Sequence, residues 1–135
     1  MSAVHDNFLQ GYSVDGVNRR IELFTEYQDG GEPFEITTVV FSGVIDHYFR
    51  NCILPSIVFD IEEVDPEEIL KRDKKLIDEG HRIGGWPSFW RESVRKMKTE
   101  IMDKQGRMFK ISSSYGLDGW VVAESCEFKT EGNTG

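Results

Sequence analysis

Apolar residues recur at every second position through much of residues 8–61, at every third or fourth between residues 65 and 104, and at every second again from residue 108. A chain whose period switches from two to about 3.6 and back again belongs to the α+β class, with strands and helices in separate runs. The N-terminal run holds strand candidates at residues 8–14, 21–27, 34–41 and 53–61. Asp15-Gly16 and the stretch from Gln28 to Pro33 supply the first turns. Ile21, Leu23 and Tyr27 share one face of their strand, Glu22 and Glu26 the other. The strand at 34–41 carries apolar side chains on both faces near its end, which predicts cover on both sides. Pro55 predicts an edge or strand-entry position.

Asp65-Pro66-Glu67-Glu68 has an N-cap acid, a proline at the first helical position and an acid three residues after the cap. Ile69, Leu70, Leu76 and Ile77 continue one stripe, and Gly80 supplies the expected stop. A second helix is expected from Ser88 to about Lys104, on Trp90, Val94, Met97 and Ile101. Residues 108–113 and 120–128 then form a hairpin. The expectation is one curved antiparallel sheet of about six strands, with two helices inserted between an N-terminal meander and the C-terminal hairpin. One domain spans residues 1–129, followed by a flexible tail at 130–135 with no apolar side chain.

The 135 residues hold 16 Lys+Arg against 24 Asp+Glu, a net charge of −8 that argues against nucleic acid as a partner. No apolar run is long enough to span a membrane and no secretory leader opens the chain, so the expected location is the cytoplasm. The two cysteines, Cys52 and Cys126, cannot form a disulfide framework and are expected to stay reduced. Charge is unevenly placed: residues 1–65 hold 12 acids and 3 bases, residues 66–110 hold 8 acids and 12 bases. That asymmetry fits head-to-tail pairing of copies, but the plainer reading is a solvated helix face with i, i+4 partners such as Asp78 and Glu79.

Candidate chemistry is sparse. His5-Asp6 and Asp46-His47 place adjacent side chains on opposite strand faces, so neither dipeptide is a ready ligand pair. No metal and no cofactor is expected. Cys52 lies near His47, but neither it nor Cys126 sits beside a glycine elbow or helix N-terminus, and no catalytic residue is assigned. Ser112-Ser113-Ser114 lacks the elbow of a serine nucleophile, and Gly30-Gly31 and Gly84-Gly85 lack the context of a phosphate loop.

The aromatic-glycine segments are more informative. Residues 84–90 and 114–120 spend large side chains on connections, which means either packed loops closing the core or a recognition surface. For the latter the candidate contacts are Trp86, Phe89, Trp90 and Tyr115, with Arg82 and Arg91 flanking the first segment. The packed reading puts Trp86, Trp90 and Trp120 between helices and sheet.

The opening His5-Asp6-Asn7-Phe8-Leu9, the two alternating strands and Val39-Val40-Phe41-Ser42-Gly43-Val44 resemble small bacterial α+β proteins, among them immunity-protein families of bacterial toxin systems. The resemblance covers residues 5–62 and implies stoichiometric inhibition. An acidic surface, with Glu22, Glu26, Glu35 and the loop 28–33 as contacts, would occlude the basic active site of a toxin nuclease. The leading expectation is a non-enzymatic protein-binding domain. The alternatives are a small-molecule-binding or hydrolytic domain with its pocket under the aromatic-glycine loops, using His47 and Cys52 or a metal, and a self-associating subunit that forms a homodimer.

Overall fold

The computed structural model describes residues 7–28, 32–51 and 56–131. His5, the glycine pair of the 28–33 turn, Cys52, Ile53 and Pro55 lie outside the described residues. Eight strands and three helices appear in the order β1 (Phe8–Asp15), β2 (Arg20–Tyr27), β3 (Glu35–Ser42), β4 (Asp46–Arg50), β5 (Ser56–Val64), α1 (Pro66–Arg72), α2 (Lys74–Gly84), α3 (Val94–Asp103), β6 (Arg107–Tyr115), β7 (Asp118–Ala123) and β8 (Ser125–Glu131). The class is α+β and every strand pairing is antiparallel.

One curved sheet of about six strands is not what forms. The continuous order β4-β7-β6-β5-β1-β2-β3-β8 divides into two four-stranded sheets. They are joined where β1 meets β5, through the pairs Phe8–Ile57 and Leu9–Ser56. The chain itself changes sheet at one corner, at β3–β4 and again at β7–β8. Gly43, Val44 and Ile45 carry it from β3 into β4, with the Val44 N–H donating to Arg19 O at 2.9 Å and the Ile45 N–H to Val122 O at 2.7 Å. The expected strand at 120–128 bends at Glu124, whose N–H donates to Ser42 O at 3.0 Å, so β7 lies in one sheet and β8 in the other.

These crossings produce three layers. Leu9, Ile21, Leu23, Val39 and Phe41 from β1–β3 pack against Ile61, Phe109, Ile111, Val121 and Ala123 from β5–β7. The opposite side of the second sheet, through Met108, Trp120 and Val122, packs on Ile69, Leu70, Ile77, Met97 and Ile101 of the helices. Both faces of β4-β7-β6-β5 are therefore covered. The outer face of β1-β2-β3-β8 is open at the start of β3, where Ile36 is 41% exposed, whereas at the strand's end Val39, Val40 and Phe41 are buried on both faces, as the 34–41 pattern predicts.

The expected 65–80 helix is two helices. Asp65 caps α1 by accepting from the Glu67 N–H, as the sequence predicts, but the chain breaks at Asp73. The Asp73 carboxylate accepts the indole N–H of fully buried Trp120 at 3.0 Å, a donor that has no water to turn to. Gly80 is not the stop. A Cβ there would collide with the Trp86 ring, so Gly80 admits the tryptophan, and α2 runs on until Gly85 at φ +72°. The third helix begins only at Val94, capped by the Ser93 hydroxyl, because residues 87–90 form a separate turn closed by the Trp90 N–H on the Pro87 carbonyl at 3.0 Å. Strand β8 extends through Thr130 and Glu131, paired with Thr37 and Ile36, past the expected start of the tail. No described helix is long and apolar enough to cross a membrane.

Candidate functional site

The first aromatic segment packs inward, because the α2–α3 connection must close the helical core over β7. Trp86 stacks on Trp120 with ring centroids 5.7 Å apart, Tyr48 lies against both rings, and Phe89 is fully buried beside them. The Trp90 indole N–H donates to Asp78 at 2.9 Å, and its ring stacks on His81 at 3.7 Å. The flanking arginines are engaged as well: Arg82 with Glu79, Arg91 with Glu100 at 3.0 Å and with the Trp90 carbonyl. Of the candidate contacts in this segment, Phe89 is buried and offers nothing to a partner, Trp86 and Trp90 are half-buried, and Arg82 is exposed. Tyr115, in the second segment, is 57% exposed.

Most bases of the helical layer are likewise paired with acids nearby. Lys74 pairs with Asp78 at 2.6 Å, Lys98 with Asp65 at 3.1 Å, Lys104 with Glu100 at 3.3 Å and Lys110 with Glu68 at 3.1 Å. This is the plainer of the two charge readings.

The outer face of β1-β2-β3-β8 differs. By the strand register, Glu22, Phe24 and Glu26 of β2 stand beside Ile36, Thr38 and Val40 of β3, with Glu127, Lys129 and Glu131 of β8 beyond. Glu22 pairs with Arg20 at 3.1 Å, and Glu26 accepts from Gln28 at 3.2 Å. Among the described residues no cation pairs with Glu26, Glu127 or Glu131. Phe24 is 39% exposed among these acids. Glu35 is exposed but has the opposite parity to Glu22 and Glu26, so it stands at the sandwich end rather than on this face.

A cleft of about 710 Å³ opens at the corner where the chain changes sheet. Its walls come from the β1–β2 hairpin (Val14, Arg20, Ile21), the start of β4 (Asp46, His47) and the helical side (Trp86). A second hollow of about 550 Å³ shares Val14, His47 and Trp86 and adds Tyr12, Tyr48 and Phe49. The Asp46-His47 dipeptide divides as strand geometry requires. His47 pairs with Val121 and faces the inter-sheet core, its ring 5.1 Å from that of Phe49, while Asp46 pairs with Val122 and faces the helices. There Asp46 accepts from the Ser88 hydroxyl at 2.6 Å and the Ser88 N–H at 3.0 Å, anchoring the turn after Trp86. Burial raises the Asp46 pKa against the pull of those bonds, and burial lowers that of His47 against the neighbouring carboxylate.

Strand β4 is absent from the sequence reading. Its five residues show no alternation because both of its faces are covered; the adjacent aromatics Tyr48-Phe49 are the signal that marks it. Gly119 of β7, at φ +153°, lets it approach, since a Cβ there would overlap the Tyr48 carbonyl. Cys126 packs against the inter-sheet core, and burial pushes its thiol up to about 12, which leaves it protonated and unreactive at neutral pH. Among the described residues no group of three or more His, Cys, Asp or Glu is placed to hold a metal ion.

In comparisons with known proteins, no family model and no curated protein matches the sequence, and no solved structure matches the fold.

Proposed function

We propose that the protein works without catalysis, by binding another protein through the outer face of β1-β2-β3-β8, in the manner of the toxin-neutralising immunity proteins that residues 5–62 resemble. The observation that supports this reading is the composition of that face. Phe24 and Ile36 stay exposed among Glu22, Glu26, Glu127 and Glu131, on the one sheet surface that no described element covers. Unpaired carboxylates steer a basic partner and speed its arrival, and apolar side chains at the centre of the patch slow its release. The helical surface also exposes apolar side chains, Ile83 and Met102, but most of its acids are already paired with its bases.

The experiment is capture of the tagged chain with its partner from the source cells, followed by zero-length cross-linking of carboxylates to partner lysines. The expected result is a basic partner, released by salt, with cross-links at Glu22, Glu26 or Glu127, and no capture by the Glu22→Lys/Glu26→Lys variant. Cross-links confined to the helices, equal capture by the charge-reversed variant, or a chain recovered alone would each reject the reading.

A further inference from the structure

The two sheet edges are finished differently. β8 pairs only with β3 and is studded with Glu127, Lys129 and Glu131, the charged finish that discourages a further strand. Among the described residues β4 pairs only with β7, in regular register over all five residues, with no proline, no bulge and one cation, Arg50, at its end. In an antiparallel ladder every second residue of an edge strand turns its N–H and C=O away from its partner. On β4 those groups open on the cleft. From β4 the cleft takes Asp46 and His47, and the smaller hollow takes His47, Tyr48 and Phe49, in each case side chains from both faces, so the two spaces lie along the edge of the strand rather than over a face.

We propose that this cleft takes an extended, uncharged peptide segment of a partner chain, which adds to the second sheet as a strand on the free edge of β4. The edge is recessed between the β1–β2 hairpin, through Val14 and Ile21, and the helical side, through Trp86 and Ser88. A slender strand reaches it where the edge of a second folded domain does not. The hollows of about 710 and 550 Å³ follow one another along β4 and share His47, the arrangement that receives alternate side chains of an added strand. The smaller one is walled by Tyr12, Tyr48, Phe49 and Trp86 and selects an apolar or aromatic side chain. The wall charges are already matched: Arg19 with Glu124 at 3.6 Å, Arg20 with Glu22, Lys104 with Glu100, and Asp46 with Ser88. No wall cation is left to recognise an anionic ligand, and the wall acids Asp15 and Asp46 already accept from Asn18 and Ser88. This surface is separate from the outer face proposed above, and each stands without the other.

The test is an NMR titration of the full chain with capped, uncharged peptides of about seven residues, alternating threonine with Val, Leu, Phe or Tyr. The expected result is saturable shifts and slowed amide exchange at residues 46–50 with at least one member of the panel. Peptide N-methylation along one edge should abolish binding, and along the other edge leave it intact. Val14→Lys, at a side chain already 49% exposed, should weaken binding about tenfold or more without altering the fold. Glu26→Lys/Glu127→Lys, at positions that neither line the cleft nor pair with its wall, should leave peptide binding unchanged while weakening the outer-face partner, so loss of that partner and loss of this site are told apart. The proposal is overturned by silence across the panel at millimolar peptide, by shifts at β8 instead, or by binding that survives methylation of either edge. Concentration-dependent shifts at β4 without peptide would also overturn it, because a second copy would then be the occupant.

Discussion

The helical layer and the outer face of the first sheet are both rich in charged and aromatic residues, yet they use them in opposite ways. Around the helices each large aromatic ring meets another ring or a carboxylate: Trp120 with Asp73, Trp90 with Asp78 and His81, Trp86 with Tyr48. The lysines there reach acids a turn away or on a neighbouring element. On the sheet face, Phe24 and Ile36 meet solvent, and Glu127 and Glu131 meet no described cation. Composition alone does not separate a stabilising surface from an available one; the distinction is whether each group already has its partner within the chain.

The sharpest way to break this comparison is to truncate one aromatic from each region. Trp120→Ala should cost about 3–5 kcal/mol in urea unfolding, since it empties a fully buried site and orphans Asp73. Phe24→Ala should stay within about 0.5 kcal/mol. Equal losses would mean that the sheet face is structural and not free to bind.

Asp73→Asn is the next step down, at about 2 kcal/mol, because the carboxylate holds both the Trp120 indole and Arg72. Burial alone would raise the Asp73 pKa, but the Arg72 hydrogen bond and charge, with Trp120 and Arg50, hold it below the ordinary aspartate value. The ionised form is thus favoured by folding. Its contribution is complete above the unfolded-state pKa and is lost as pH falls through the lower folded value. Acid unfolding of Asp73→Asn should accordingly be flatter across that window than that of the wild type, and an unchanged slope would remove Asp73 from the helical junction.

Legibility in the sequence followed how far each signal is local. The cap at Asp65-Pro66, the alternation of β2 and the inward place of Trp120 were readable, because capping and binary pattern act over a few residues. The break at Asp73 was not, since its cause is an indole 47 positions away in the chain. Gly80 looked like a stop and is a seat for Trp86, and the bend at Glu124 depends on carbonyls from the β3–β4 corner. The alternative of a pocket under the aromatic-glycine loops near His47 anticipates part of the cleft wall, which includes His47, Trp86 and Ser88. The β1–β2 hairpin that forms its other side was not readable, because it arrives from far along the chain. Of the candidate contacts, Glu22 and Glu26 fell on an open face because period two fixes side-chain direction. Phe89 and Trp90 did not, because a loop has no period from which direction can be read.

The smallest effects sharpen the comparison most. Lys98 is 28% exposed and reaches both Asp65 and Glu67, so Lys98→Met should cost about 0.5 kcal/mol at low salt, shrinking as salt screens the pair. Glu127→Gln removes a carboxylate with no described cationic partner from a face that also carries Glu22, Glu26 and Glu131. Its effect should be neutral or stabilising by a few tenths of a kcal/mol at low salt, and should vanish near 1 M salt, where the screening length is about 3 Å. The two variants therefore move the unfolding midpoint in opposite directions at low salt and converge at high salt. A loss on Glu127→Gln as large as that on Lys98→Met would mean that the sheet-face carboxylates are held by the fold. They would then not be free for a basic partner, and the proposed docking face would lose its electrostatic half while the β4 cleft would stand untouched.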